Sequence, residues 1–118
     1  MIREKWPGLA CRFYMSASGN EPVREWLRRM PATVRQEIGS DIEQVQWRWP
    51  VGLPLVDGLG QGLYEIRTKV DRNIYRVFFC VADSVMWLLH AIAKKSRKAP
   101  PAELDLGRHR QREIEEIR

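Results

Sequence analysis

Three strand-like segments follow one another between residues 63 and 93, and they restrict the fold more than any other feature of the sequence. Residues 63–70 alternate between apolar and polar side chains, as expected for a strand with one buried face. Residues 74–82 and 85–93 are almost wholly apolar and β-prone, which indicates strands covered on both faces. Because only short turns separate the three segments, the sequence predicts an antiparallel sheet.

Helical patterns flank these strands in the chain. Apolar residues recur at helical spacing over residues 22–30 and again over residues 32–49. A short strand at residues 9–15 precedes them, and the glycine- and proline-rich residues 51–62 are predicted to form a loop. Residues 99–101 open a last helix. The predicted order is β-α-α-β-β-β-α, an α+β fold in which a helical hairpin and a C-terminal helix pack on a sheet of about four strands.

The composition is that of one globular unit, and we expect residues 1–118 to form a single domain. A hydrophobic fraction of 44%, with five tryptophans, is enough for one core. Cys11 and Cys80 lie far apart in apolar surroundings, which predicts reduced core thiols. The N-terminus lacks the apolar region of a signal peptide, and no apolar run reaches the ~18 residues of a membrane span. We therefore expect a cytoplasmic protein.

The positive charge is concentrated in one third of the chain. Residues 63–98 hold eight basic and three acidic side chains, which account for the whole net charge of +5, since the other residues hold twelve of each. Clustering of this kind is typical of surfaces that bind phosphates, although a solvated basic face has the same composition. The sequence therefore favours a polyanionic partner, such as nucleic acid, with RNA as our first expectation, or an acidic protein.

Arg76 is the one charged residue within the apolar segment 74–82. A guanidinium at such a position must pair with a carboxylate or emerge on an open face of the sheet, because an unpaired buried charge costs several kcal/mol. Pairing with Glu65 on the neighbouring strand is the structural alternative. The functional alternative is a fork of Arg67 and Arg76 that clamps a phosphate.

A basic loop follows the last predicted strand and holds four cations within five residues: Lys94, Lys95, Arg97 and Lys98. Cleavage of RNA without a metal needs a base for the 2′-hydroxyl, cations for the developing charge and an acid for the departing oxygen. Crowding by other cations favours the neutral form of a lysine, so Lys94 or Lys95 can supply the base. Tyr64 and Tyr75 can stack on a nucleobase or donate a proton, although a core position is the alternative for Tyr75.

The sequence holds no pattern for a metal or a cofactor, and we expect the protein to need neither. Its two histidines lack the partners of a zinc site. His90 lies in an apolar strand, where a hydrogen-bonded core histidine is the alternative to a catalytic one, and His109 is predicted to be solvated. The glycines between residues 58 and 62 lack the Lys-Ser/Thr ending of a phosphate-binding loop.

Several short motifs resemble those of the phage-derived HigB-like toxins of the RelE/ParE superfamily, and they occur in the right order along nearly the full chain. The matching pieces are Ser18-Gly19-x-x-Pro22-Val23-x-x-Trp26-Leu27, Gly62-Leu63-Tyr64-Glu65-Ile66-Arg67, Tyr75-Arg76-Val77-Phe78, Leu88-Leu89-His90 and Lys94-Lys95-x-x-Lys98-x-Pro100. The chain departs from the family at Gly107, where alanine is usual, a loss of about 1 kcal/mol of helix propensity.

The resemblance implies a RelE-like fold and the toxin of a type II toxin–antitoxin pair. Such a toxin would be a ribosome-dependent, metal-independent mRNA endoribonuclease, silenced by a cognate helix-turn-helix antitoxin. By motif position, the resemblance implies four catalytic residues: Arg67, Arg76, Lys94 and Lys95. We predict that four further residues contact the RNA: Lys69, Tyr75, Arg97 and Lys98. The alternatives are a non-enzymatic inhibitor of DNA gyrase, as in ParE-like members, and an RNA-binding domain without toxicity.

Overall fold

The structure, a computed structural model, describes residues 8–93 and 98–117. Its strands and helices follow one another as β1 (Ala10–Phe13), α1 (Pro22–Arg29), α2 (Ala32–Arg48), β2 (Val56–Gly60), β3 (Leu63–Val70), β4 (Asn73–Ala82), β5 (Val85–Ala93) and α3 (Pro101–Glu116). This order confirms the α+β fold, with a helical pair before the three central strands and a helix after them. No helix in the described ranges is both long and apolar enough to cross a membrane.

The five strands form one mixed sheet in the order β1-β5-β4-β3-β2. Strands β2 to β5 pair antiparallel with their neighbours, whereas β1 runs parallel to β5 at one edge. Tight turns join β3 to β4 and β4 to β5, and such turns require antiparallel pairing. No hairpin joins β1 to β5, because the two helices and three strands lie between them. The sheet therefore departs from the antiparallel prediction at β1.

The prediction of a loop over residues 51–62 is wrong for Val56–Gly60, which form β2. This strand pairs with β3 at the outer edge of the sheet, and a bulge between Gly58 and Gly60 interrupts the pairing. Glycine is unfavourable in strands, so the local sequence does not reveal a strand whose hydrogen bonds come from a neighbour. The hairpin turn uses Gly60 and Gly62, whose φ values of 91° and 81° favour glycine.

Helices cover both faces of the sheet. On one face, α1 and α2 contribute Val23, Ile38 and Val45 to a core with Val77 and Phe79 of β4. On the other face, a second core lies between the sheet and α3, and its fully or nearly buried members include Leu63, Phe78, Leu89, Ile92 and Ile114. Strand β4 is thus covered on both sides, as its apolar sequence predicted. We call the side of the sheet that α1 and α2 cover the hairpin face, after the helical hairpin. The side that α3 covers is called the α3 face.

Helix α3 is fastened to the β2–β3 hairpin by hydrogen bonds from its side chains to backbone carbonyls. Arg108 donates to the oxygens of Leu59 and Gly60, at 2.6 and 3.1 Å. Gln111 donates to the oxygen of Gln61 at 2.7 Å. Since each of these carbonyls belongs to β2 or to the turn after it, α3 holds the edge strand in place. The side chains of β2 on the α3 face are positioned by the same contacts.

Candidate functional site

A cleft of about 690 Å³ opens on the α3 face, between the β2–β3 hairpin and the start of α3. We call it the β2–α3 cleft, and the residues that line it are Asp57, Leu59, Glu65, Lys98, Ala99, Pro100, Pro101 and Leu104. Most of its wall is apolar, and three charged side chains interrupt it. Cavities of this size and composition are typical of sites for small molecules or single nucleotides.

Glu65 and Arg76 form a buried ion pair next to the cleft. Arg67 on β3 stands directly opposite Arg76 on β4, and strand alternation brings Glu65 to the same face. The Nη1 atom of Arg76 donates a hydrogen bond of 2.7 Å to Oε2 of Glu65, and Arg76 is fully buried, at 0% exposed. Arg76 is therefore paired with Glu65, as the structural alternative for this residue predicted. A role of Arg76 in binding phosphate stays a prediction.

The Glu65 carboxylate retains an unused acceptor. Its Oε1 atom is buried and has no hydrogen-bond partner among the described residues. The Nε atom of Arg67 lies 3.9 Å from Oε2, which is too long for a hydrogen bond. Burial raises the pKa of Glu65, the charges of Arg76 and Arg67 oppose this rise, and Asp57 on β2 adds to it. The carboxyl group can therefore accept a hydrogen bond or a proton from a ligand in the cleft.

Arg67 and Lys69 supply positive charge nearer to solvent. Strand alternation puts both on the α3 face, and the side chain of Arg67 is 23% exposed, in contrast to that of Arg76. Arg67 and Lys69 also border a second hollow of about 320 Å³, together with Pro54 and Leu55. A chain of phosphates passing the mouth of the cleft would therefore meet two cations on one strand.

The basic segment after β5 is described at its ends. Three of its predicted functional residues lie outside the described parts of the chain: Lys94, Lys95 and Arg97. Lys98 is exposed and lines the β2–α3 cleft. Ala93 ends β5, one residue after Ile92, which is the register partner of Arg76. Both described ends of the segment therefore lie close to the Glu65–Arg76 pair.

The two tyrosines that were candidates for stacking lie on the hairpin face. Tyr75 is 8% exposed and makes an edge contact with Trp26, with ring centroids 6.3 Å apart. Tyr64 stacks against Phe79 at 5.4 Å and contacts Trp49 at 4.9 Å. The structure thus places Tyr75 in the core, which was the alternative to RNA binding, and it brings neither tyrosine to the cleft. RNA binding by Tyr75 stays a prediction that this position does not support.

His90 has hydrogen-bonding partners that fasten α3 to β5. Its Nε2 atom lies 2.6 Å from Oε1 of Glu103, and its ring stacks on Phe78 with centroids 5.8 Å apart. Arg110 donates to the backbone oxygen of Leu89 at 2.9 Å beside it. These contacts fit the structural alternative for His90. His109 is exposed, as predicted.

Sequence reasoning missed Asp57 and Leu59 as cleft residues, because both belong to the strand that was predicted to be a loop. The alternation Asp57-Gly58-Leu59 was the only local indication of a strand in the sequence. The neighbouring glycines, which are typical of loops, obscure this indication. Within the described ranges, no three histidine, cysteine or acidic side chains are grouped to hold a metal ion. The cleft therefore offers one cation, two carboxylates and apolar walls as its chemistry.

The fold and the cleft define a small α+β protein with basic side chains beside a cleft at the β2 edge of its sheet. Residues 25–112 match the family model described as Phage derived protein Gp49-like, which covers well over half of the chain, including β2–β5 and most of α3. The chain therefore belongs to the Gp49-like phage-derived protein family, which is part of the RelE/HigB-like group of toxins from toxin–antitoxin pairs. Among curated proteins, no match to the chain was found.

Proposed function

We propose that this protein is the toxin of a type II toxin–antitoxin pair and that it cleaves mRNA on the ribosome without a metal ion. Membership of a toxin-associated family supports the first part. The observation that carries the second part is the opposition of Arg67 and Arg76 across β3 and β4, beside a cleft that Lys98 lines. Lys98 lines the cleft and the two arginines lie beside it, and positive charge of this kind is what a phosphodiester and its transition state require.

The two arginines would have different tasks. Arg67 reaches solvent and can touch a phosphate oxygen directly, with Lys69 two residues further along the same strand. Arg76 is fully buried, so its charge would act on the site through Glu65 and through the field at the cleft. This division explains how both arginines of the predicted catalytic set can serve one phosphate.

The cleavage step needs proton transfers that arginines cannot provide. In our proposal, Lys94 or Lys95 removes the proton of the 2′-hydroxyl, and the 2′-oxygen then attacks the adjacent phosphorus. The bond from phosphorus to the 5′-oxygen breaks, which leaves a 2′,3′-cyclic phosphate, and the other lysine of the pair, in its protonated form, gives a proton to the departing 5′-oxygen. Arg67, Lys98 and Arg97 would hold the phosphate chain, and Arg67 would stabilise the charge that develops on the phosphoryl oxygens.

The proposal implies two partners and a compartment. The substrate would be mRNA in a translating ribosome, which places the protein in the cytoplasm. A cognate antitoxin with a helix-turn-helix domain would keep the toxin inactive, and it should present acidic side chains to the basic residues around the cleft. The gene for that antitoxin should lie next to the gene for this protein.

Induced expression in cells tests the proposal. We expect growth to stop and translated mRNA to be cut, and we expect Arg67→Ala and the double variant Lys94→Ala/Lys95→Ala to relieve both effects. Arg28→Ala, an exposed arginine of α1 on the hairpin side, is the matched control and should remain toxic. Filamentation and DNA damage with intact mRNA would instead favour inhibition of gyrase. Unchanged growth at high expression would favour an RNA-binding domain without toxicity.

A further inference from the structure

The inner wall of the β2–α3 cleft carries two carboxylates, which is unexpected in a site for phosphates. Asp57 on β2 and Glu65 on β3 are direct register partners, and both line the cleft. Carboxylates repel a phosphate chain, so the backbone of an RNA does not explain them. A group of another kind must therefore meet this part of the cleft if RNA binds there.

Glu65 shows what that group must supply. Its Oε2 atom is held by Arg76, but its Oε1 atom is buried and has no hydrogen-bond partner within the described ranges. Buried acceptors are almost always satisfied in folded proteins, and exceptions are frequent where a ligand binds. Asp57 is half-buried on the neighbouring strand and adds a second acceptor. The cleft thus presents two carboxylate groups that can accept hydrogen bonds from a ligand.

The remaining wall of the cleft is mostly apolar. Leu59 approaches from β2, and Pro101 and Leu104 approach from α3. Apolar walls of this kind cover the faces of a planar ring, while the polar groups meet its edge. Lys98 lies at the same cleft and can contact a phosphate attached to such a ring.

We propose that the β2–α3 cleft binds a guanine base of the RNA, with Asp57 and Glu65 accepting hydrogen bonds from its Watson–Crick edge. Guanine is the standard base that places two adjacent donors, N1–H and the 2-amino group, on that edge. Adenine and cytosine offer one amino group beside an acceptor, and uracil offers one N–H between two carbonyls. These acceptors would face the carboxylates and be repelled. The proposal rests on the RNA-directed function proposed above and adds base preference to it.

Titration of the purified full-length protein with 5′-mononucleotides tests this proposal. We expect GMP to bind at least about tenfold more tightly than IMP, which differs from it only by the missing 2-amino group. AMP, CMP and UMP should bind as weakly as IMP or more weakly. In amide NMR spectra, GMP should shift the signals of Leu59 and Leu104, which line the cleft.

Variants distinguish the contribution of the carboxylates to nucleotide binding from general effects of a substitution. Asp57→Asn keeps an amide oxygen but loses the charged acceptor, so it should weaken the preference for GMP over IMP, whereas Glu43→Gln, an exposed position on α2, should leave it intact. Glu65→Gln also removes the counter-charge of Arg76 and so changes stability as well as binding, and Asp57→Asn therefore carries the test. Equal binding of GMP and IMP, or no binding of any nucleotide, would overturn the proposal. So would an unchanged preference in Asp57→Asn.

The two proposals can fail separately. If GMP binds as expected but expression cuts no mRNA, the guanine site stands and the proposed endoribonuclease function falls. If mRNA is cut but the purified protein shows no preference for GMP, the guanine site falls and the endoribonuclease function stands.

Discussion

Breaking the Glu65–Arg76 pair would test how the site is held together. In Arg76→Ala, Glu65 loses a hydrogen bond of 2.7 Å, and of its ion pairs within residues 8–93 and 98–117 it keeps the contact of 3.9 Å to Arg67. Glu65 is 2% exposed, so water does not replace the lost partner. Removing one member of a buried pair costs about 3–5 kcal/mol, and because Arg67 remains close we expect the lower end, about 3 kcal/mol.

Urea unfolding at pH 7, followed by the fluorescence of the five tryptophans, measures this loss. A chain of 118 residues has a free energy of unfolding of roughly 6–18 kcal/mol, so the variant should still fold. Its unfolding midpoint should fall by roughly 1–3 M urea. Arg72→Ala, exposed in the turn between β3 and β4, is the matched control and should change stability by less than about 0.5 kcal/mol.

A double variant separates the lost pairing from the lost volume. Replacing both Glu65 and Arg76 by leucine removes both charges of the buried pair, so stability should return to within about 1 kcal/mol of the parent protein. A loss of less than about 1 kcal/mol in Arg76→Ala would refute the reasoning, because the buried carboxylate would then not depend on Arg76.

Three further predictions concern stability and reactivity. Gly107→Ala should raise the free energy of unfolding by about 1 kcal/mol, since the new Cβ would lie 3.7 Å from Phe78, an ordinary contact; a lower melting temperature would contradict this. Burial raises the pKa of Cys11 from 9.0 to about 11, so alkylation in the folded protein should be about 100-fold slower than in urea at the same pH. Because burial raises the pKa of Glu65 above 4.5, the folded carboxyl group holds its proton more tightly than the unfolded one. The parent protein should therefore lose stability relative to Glu65→Gln as pH rises from 4.5 through the folded pKa, and a constant difference would contradict that direction.

Local sequence patterns were sufficient for the elements that bury their own side chains. The alternation in β3 correctly separated Glu65 and Arg67 from Tyr64 and Ile66. The apolar runs of β4 and β5 correctly indicated strands near the centre of the sheet. Within residues 74–82, however, Arg76 is the only charged residue, and its own face was an open alternative, so the face of Tyr75 could not be read from the sequence.

Features that depend on a neighbouring strand could not be predicted in the same way. β2 owes its hydrogen bonds to β3, and its glycines look like a loop in isolation. Since β2 was missed, the approach of Asp57 to Glu65 was missed with it. The choice between the two alternatives for Arg76 needed the register of β3 against β4, which the turn between them restricts but does not determine.

Cleavage of mRNA in a programmed ribosome complex by the purified protein is the most direct test of the proposed activity. We expect the parent protein and Arg28→Ala to cut the message at equal rates without added metal ions. Arg67→Ala should cut about 100-fold more slowly, because it lacks the partly exposed guanidinium that would meet the phosphate, while its unfolding midpoint stays within error of the parent. An uncut message with the parent protein, or an undiminished rate in folded Arg67→Ala, would contradict an RNA-cleaving site at this cleft.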